Sequence, residues 1–212
     1  MPREIELKLL INPQHIPRLW RHPLLAAHTR EKLSTQQLLS IYYDTPDLVL
    51  HRNKIAVRLR RVGKRWIQTV KMEGRVAAGL HERPEWEQET TENTLDFQAL
   101  PDTQLREFFA HERLRQSLSP IFITKFSRAG RILEWPNGDV VEFALDRGEI
   151  QAGERRAPIC EVELELKSGA SARLFLIAAA LQQALPLQPE NVSKAERGYQ
   201  LASRPAPEKG ER

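Results

Sequence analysis

Glu4-Ile5-Glu6-Leu7-Lys8 near the start of the chain and Glu161-Val162-Glu163-Leu164-Glu165-Leu166-Lys167 far downstream both alternate charged and aliphatic residues. Read as strands, each puts its charges on one face and its aliphatics on the other. Carboxylates in a row on one face repel each other unless cations sit between them. Hard divalent cations such as magnesium or manganese, which prefer oxygen ligands, answer that need. A single alternating strand is ordinarily a solvated sheet face, so the reading turns on how many strands repeat the pattern.

Many do. Alternation predicts strands over 3–11, 36–45, 53–62, 65–72, 80–89, 120–134, 139–151 and 158–168. Val62-Gly63-Lys64, Pro136-Asn137-Gly138 and Ala152-Gly153-Glu154 are turn signals between such runs, so neighbouring strands pair antiparallel. Helices are expected over 13–20 behind Asn12 and Pro13, over 103–112 behind Asp102, over 170–185, and in a short segment from Ser193. The expected fold is α+β, an eight-stranded antiparallel β-barrel with helices packed outside, against the alternative of an open sheet covered on one face. In the barrel the charged face lines a bore, and the helices cover Ile5, Leu7, Leu9, Val57, Leu59, Val162 and Leu164. Residues 1–202 form this domain and 203–212 a flexible Pro-rich tail.

Composition narrows the class. The 32 basic and 28 acidic side chains leave a net charge of +4, too balanced to argue for nucleic acid. The single cysteine, Cys160, excludes an internal disulfide framework and reads as a small buried hydrophobe. No apolar run approaches the ~20 residues that span a bilayer, and no signal-peptide core opens the chain, so a cytoplasmic protein without a membrane partner is expected.

The inward-parity residues carry the chemistry. Arg58 and Arg60 share a face about 7 Å apart. Arg83, Glu85 and Glu87 share another, as do Glu142 and Asp146; Lys71 ends its strand, and Lys125, Arg128 and Arg131 lie along 120–134. Carboxylates need cations, and arginines need anions with several oxygens to grip. A metal-bound polyphosphate satisfies both, and phosphoryl transfer demands little beyond such positioning and charge stabilisation. Neither a Walker-type loop nor Gly-x-Gly-x-x-Gly occurs, so ordinary nucleotide-binding folds are disfavoured. The six histidines, at 15, 22, 28, 51, 81 and 111, are scattered and carry no assigned role.

Glu4-x-Glu6-x-Lys8, Tyr42-Tyr43-Asp44-Thr45, Arg58-x-Arg60, Lys71, Arg83-x-Glu85, Asp146, Glu161-x-Glu163 and Ser193-Lys194 stand in the order seen in the CYTH superfamily, the triphosphate tunnel metalloenzymes. The chain resembles this family over about residues 2–202, most closely the CYTH domain of bacterial inorganic triphosphatases. The resemblance implies a tunnel that binds a linear triphosphate with Mg2+ or Mn2+ and hydrolyses it to pyrophosphate and phosphate. It implies Glu4, Glu6, Asp146, Glu161 and Glu163 as metal ligands and Lys8, Arg58, Arg60, Lys71, Arg83, Arg128 and Lys194 as phosphate-binding groups. Glu85, Glu163 and Arg128 are the implied catalytic residues. Where several members carry Lys-x-Arg, this chain has Phe126-Ser127-Arg128, which moves the expected base to Glu85 or Glu163. Proteins of this branch often continue into a helical CHAD domain, so the chain is either a stand-alone tunnel or part of a longer form with CHAD as partner. The rival readings are a class IV adenylate cyclase, a thiamine triphosphatase and a non-catalytic polyphosphate-binding module. An organic triphosphate needs an apolar platform at one mouth, and Trp66, Trp86 and Trp135 read equally well as packing residues.

Overall fold

The computed structural model describes residues 1–30, 32–90 and 93–203. Its strands are β1 (Arg3–Leu10), β2 (Ser34–Asp44), β3 (Ile55–Val62), β4 (Arg65–Met72), β5 (Arg75–Ala77), β6 (Leu80–Thr90), β7 (Ser119–Glu134), β8 (Val140–Ala152), β9 (Arg155–Ser168) and β10 (Gln188–Pro189). Its helices are α1 (Ile16–Trp20), α2 (Pro23–His28), α3 (Val49–Arg52), α4 (Thr103–Ala110), α5 (Glu112–Ser117), α6 (Ala172–Ala184) and α7 (Lys194–Ser203). The expected tail beyond residue 203 lies outside the described residues.

Eight long strands follow one another in the order β1-β9-β8-β7-β2-β3-β4-β6, and β6 pairs back to β1. The sheet therefore closes into a barrel, with every pairing antiparallel. The open-sheet alternative falls with that last pairing. β5 and β10 are short extras paired to β6 and β1. Glycines at positive φ, Gly63 at 63° and Gly153 at 59°, make two of the hairpin turns, a conformation that costs other residues a steric penalty.

Closure turns the usual arrangement inside out. Leu7, Leu9, Phe143, Leu145, Val162 and Leu164 face outward and are buried against Leu174, Ile177, Ala178 and Leu181 of α6, with Ile16 and Leu19 of α1 and Leu25 of α2. A second outer core joins Val57 of β3 and Val70 of β4 to Leu50 of α3 and to Leu105 and Phe109 of α4. Each fully buried aliphatic there contributes about 1.5–3 kcal/mol. The barrel is thus held from outside, which leaves its interior free for charge.

One helix differs. α7 packs Tyr199 and Leu201 on the inward-parity residues Leu38, Tyr42, Phe122, Phe126, Ile150 and Ile159, closing one end of the barrel. Gly198 allows it: a Cβ there would come within 2.1 Å of the Phe122 ring. The helices α2, α3 and α5 have only 6, 4 and 6 residues, too short for a periodic apolar face to announce them. α3 is fixed instead by Asp44, whose carboxylate accepts the backbone N–H groups of Thr45, Leu50 and His51 at 2.7–2.9 Å. The expected helix over 13–20 is a 3-10 turn, Pro13–His15, running into α1. None of the described helices is long and apolar enough to cross a membrane.

Candidate active site

The bore encloses a cavity of about 830 Å³. Alternation along β1 turns Glu4, Glu6 and Lys8 into it, and the register sets Lys8 opposite Glu163 and Glu6 opposite Glu165 on β9. On the next strand Glu142 stands opposite Glu165, and Asp146 opposite Glu161. Three neighbouring strands so build an acidic wall, in which like charges face one another unless bridged. Lys8 and Lys167 bridge some of them from within the wall, Lys8 to Glu6 at 2.8 Å and Lys167 to Glu142 at 2.9 Å and Glu165 at 2.6 Å, and the other bridges come from elsewhere in the fold. Arg83 of β6 donates from Nε to Glu4 at 2.7 Å and from Nη2 to Glu6 at 2.6 Å. Lys71 of β4 reaches Glu4 at 2.8 Å and Glu85 at 2.7 Å. Lys194, at the start of α7, meets Asp146 at 2.7 Å and Glu163 at 2.8 Å and also contacts Glu161, which pairs with Arg197 one helical turn on. Arg128 grips Asp146 with Nε at 2.8 Å and Nη2 at 2.7 Å, and touches Glu163.

The opposite wall, from β2 and β3, is basic. Arg58 is braced by Thr69 Oγ1 at 3.1 Å and Glu87 at 3.2 Å, with Glu85 at 3.9 Å. Arg60 makes no ion pair with a carboxylate among the described residues. Its Nε donates to Ser40 Oγ at 3.0 Å, and the guanidinium lies 5.9 Å from the Phe126 ring centre. Burial and the neighbouring charges of Arg58 and Arg128 pull its pKa down to about 10. That is a cation short of an anion.

Electrostatics sort the carboxylates. Burial opposes ionisation at Glu163, but Lys194, Lys8 and Arg128 overcome it and hold the group well below the usual carboxylate range. Glu4 is held down in the same way, against burial, by Lys71 and Arg83. Glu87 sits at about 2, because Arg58 and the Thr69 hydroxyl outweigh its burial. Glu85 goes the other way, to about 7, pushed up by burial and then by the charge of Glu4, against the pull of Lys71. Two carboxylates a few ångströms apart thus divide into one firmly ionised and one that exchanges its proton near neutrality.

Eleven of the thirteen residues expected from the sequence line the cavity: Glu4, Glu6, Lys8, Arg58, Arg60, Lys71, Arg83, Glu85, Arg128, Glu163 and Lys194. Asp146 and Glu161 are fully buried behind the wall, with oxygens that lie together with one of Glu163 within 4.8 Å of one another. Of the other charges along 120–134, Lys125 is exposed and Arg131 lies outside, 5.1 Å from the Trp20 ring. Thr69, Ser40 and Arg197 belong to the constellation without being expected there, and Glu87, expected on one face with Arg83 and Glu85, had no role assigned. Glu87 merely continues the Arg83-x-Glu85 alternation, and Arg197 follows Lys194 at the i+3 helical spacing, so both were detectable by extending a pattern. Thr69 and Ser40 show only through pairing. Among the described residues no tryptophan or phenylalanine lines the cavity; Trp86 packs into the outer core, and Trp135 stacks on His28 at 4.4 Å.

Known proteins share this architecture, and a known relative is similar in sequence. A Hippeastrum protein studied as an adenylyl cyclase, with a dominant triphosphatase activity, superposes with a TM-score of 0.64 at 16% identity, covering 93% of this chain and 95% of that one. An adenylate cyclase candidate from Bacillus halodurans gives 0.58 at 18% identity, over 93% and 98% of the two chains. At these identities the likeness is one of fold. The inorganic triphosphatase of Haemophilus influenzae is 38% identical over 210 residues, 96% of this chain and 56% of that protein, so the chain spans about half the length of this curated relative. The CYTH domain pattern matches residues 2–199, and the chain belongs to the CYTH domain family.

Proposed function

We propose that the chain is a metal-dependent inorganic triphosphatase, hydrolysing triphosphate to pyrophosphate and phosphate within the bore. The observation that carries this is the opposition of an acidic wall to a basic wall across one cavity, with Arg60 lacking a carboxylate partner among the described residues. An anion bound to the basic wall and a cation bound to the acidic wall satisfy each other there. The 38% identity to an inorganic triphosphatase supports the same reading. The shortage of exposed aromatic surface favours an inorganic substrate, since Tyr42 and Tyr199 line the bore but are themselves 4% and 2% exposed.

The donor set suits Mg2+ or Mn2+: Glu4, Glu6 and Glu163 offer hard carboxylate oxygens to the cavity, with Asp146 and Glu161 behind them, and no thiol joins them. A bound divalent ion would neutralise phosphate oxygens and acidify water. The chain's own groups do the rest. Arg58, Arg60, Lys8, Lys71, Arg83, Arg128 and Lys194 hold the non-bridging oxygens in a line along the bore. Water attacks the terminal phosphorus, its oxygen forms the new P–O bond, and the bridging P–O bond breaks to release pyrophosphate. Glu85, with a pKa near 7, is suited to take the proton from that water. Arg128 is suited to stabilise the negative charge that develops on the transferred phosphoryl group, and Glu163 holds its guanidinium at the wall.

The test offers inorganic triphosphate, ATP, thiamine triphosphate and long polyphosphate to the protein with Mg2+ or Mn2+, and follows phosphate, pyrophosphate and cyclic AMP. Rapid phosphate release confined to inorganic triphosphate, abolished by chelation, is expected. Cyclic AMP from ATP overturns the proposal, as does binding of every substrate without turnover.

A further inference from the structure

Arg58 and Arg60 stand two residues apart on one strand and face one cavity, yet they are held in different ways. Register explains it. Arg58 pairs across to Thr69 on β4, and Thr69 pairs across to Glu87 on β6, so the three side chains stand abreast on the inner face of three consecutive strands. Their hydrogen bonds close a ring. Arg58 donates from Nε to Thr69 Oγ1 at 3.1 Å and from Nη2 to Glu87 Oε1 at 3.2 Å; the Thr69 hydroxyl donates to the same Glu87 oxygen at 2.8 Å. Among the described residues Arg60 has one side-chain hydrogen-bond partner, Ser40.

We propose that Thr69 and Glu87 are positioning residues that lock the Arg58 guanidinium in one orientation for a phosphate group in the bore. The proposal rests on the triphosphate reading of the site and goes beyond it by separating two arginines that sequence treats as a pair. A guanidinium is planar, and its fork recognises a phosphate only when the plane is correctly turned. Fixing that plane before the ligand arrives reduces the side-chain entropy lost on binding. Thr69 is the informative member, because it is fully buried and uncharged. It cannot act by adding or removing field in the cavity. Its hydroxyl fills the acceptor need of Arg58 Nε and the donor need of Glu87 at once, which a plain counter-ion pair would not require. Glu87 alone would give Arg58 a counter-charge at Nη2 while leaving Nε without its hydroxyl acceptor.

Binding of inorganic triphosphate with Mg2+ is measured by calorimetry on the full chain and on Thr69→Val, Thr69→Ser and Arg58→Ala. Thr69→Val keeps shape and charge and is expected to weaken affinity about three- to tenfold, less than the direct loss of a hydrogen bond to a charged group because Thr69 acts through Arg58. Thr69→Ser restores it. Thr69→Val added to Arg58→Ala costs nothing further, because both act through one group. An NMR readout needs no ligand: the Arg58 Nε–H exchanges slowly with solvent in the native chain and in Thr69→Ser, and fast in Thr69→Val. Native affinity in Thr69→Val, or losses that multiply with Arg58→Ala, overturns the positioning role. A native chain that binds no triphosphate overturns the reading of the bore instead, and the two failures are distinct.

Discussion

The wall formed by β1, β9 and β8 and the wall formed by β2 and β3 are both charged, both buried and both built by period-two alternation, yet they are neutralised differently. The acidic wall holds Glu4, Glu6, Glu142, Asp146, Glu161, Glu163 and Glu165, and takes its counter-charges from its own Lys8 and Lys167 and from other elements: Arg83 from β6, Arg128 from β7, Lys194 and Arg197 from α7. The basic wall has no such supply for Arg60. A buried ion pair gains little net energy, but a broken one leaves a charge stranded at a cost of about 3–5 kcal/mol. The acidic wall is therefore structural as well as receptive, because its carboxylates bind the fold's parts together. The basic wall can lose a member and remain standing.

Glu163→Gln should produce the largest effect and is the hardest test of that contrast. Glu163 contacts Lys8, Arg128 and Lys194, joining β9 to β1, β7 and α7. Turnover should fall on the order of 10²–10³-fold, the scale set by removing one charge-stabilising group. The folded state should also lose several kcal/mol, up to about 3–5, because three cations share the lost partner. Assay and melting curve together decide it; near-normal values in both would mean that Glu163 neither serves the site nor ties the wall.

Arg60→Ala against Arg58→Ala sharpens the other side. Each should weaken triphosphate binding by about 1.5–3 kcal/mol, one charged hydrogen-bonding group apiece. Only Arg58→Ala should also lower stability, since it strands Glu87 and Thr69. Equal melting temperatures for the two variants would erase the distinction between a braced and an unbraced arginine.

A smaller effect is expected from pH. Glu85 ionises near 7 in the folded chain, above its ordinary carboxylate value. The folded state holds a proton that the unfolded chain has already lost between about pH 4.3 and 7, so stability falls as pH rises through that window. Glu87 is opposite in sign: at about 2 it contributes stability above the ordinary value that disappears as pH falls toward 2. Melting metal-free protein from pH 4.5 to 8 should show the Glu85 decline, and Glu85→Gln should flatten it. An unchanged slope in that variant assigns the decline to another group.

How much of this was legible follows from where the information lies. The alternating runs identified all eight barrel strands within a few residues, because an enclosed charged bore with an apolar exterior amplifies the period-two signal. The same parity brought ten candidates to the cavity, and Lys194 enters it from α7. What alternation does not encode is which charge meets which. Thr69 and Ser40 matter because they stand opposite Arg58 and Arg60 on neighbouring strands, a fact of register. The placement of α7 was hidden for a related reason: Gly198 reads as a weak helix residue until the Phe122 ring is seen against it.

The smallest expected effect tests parity itself. Lys125 and Arg128 lie on the same strand, three residues apart, and so must face opposite sides of the sheet. Lys125 is exposed and stands across from Glu149, while Arg128 lines the bore opposite Asp146. The pairing of β2 with β7 carries an irregularity between Tyr42 and Tyr43, and a one-residue shift in β7 would exchange the two faces. Lys125→Gln should change stability by no more than about 0.5 kcal/mol and turnover by no more than about twofold. A tenfold loss of turnover would put Lys125 inside, turn Arg128 outward, and leave the acidic wall without the guanidinium that joins Asp146 to Glu163.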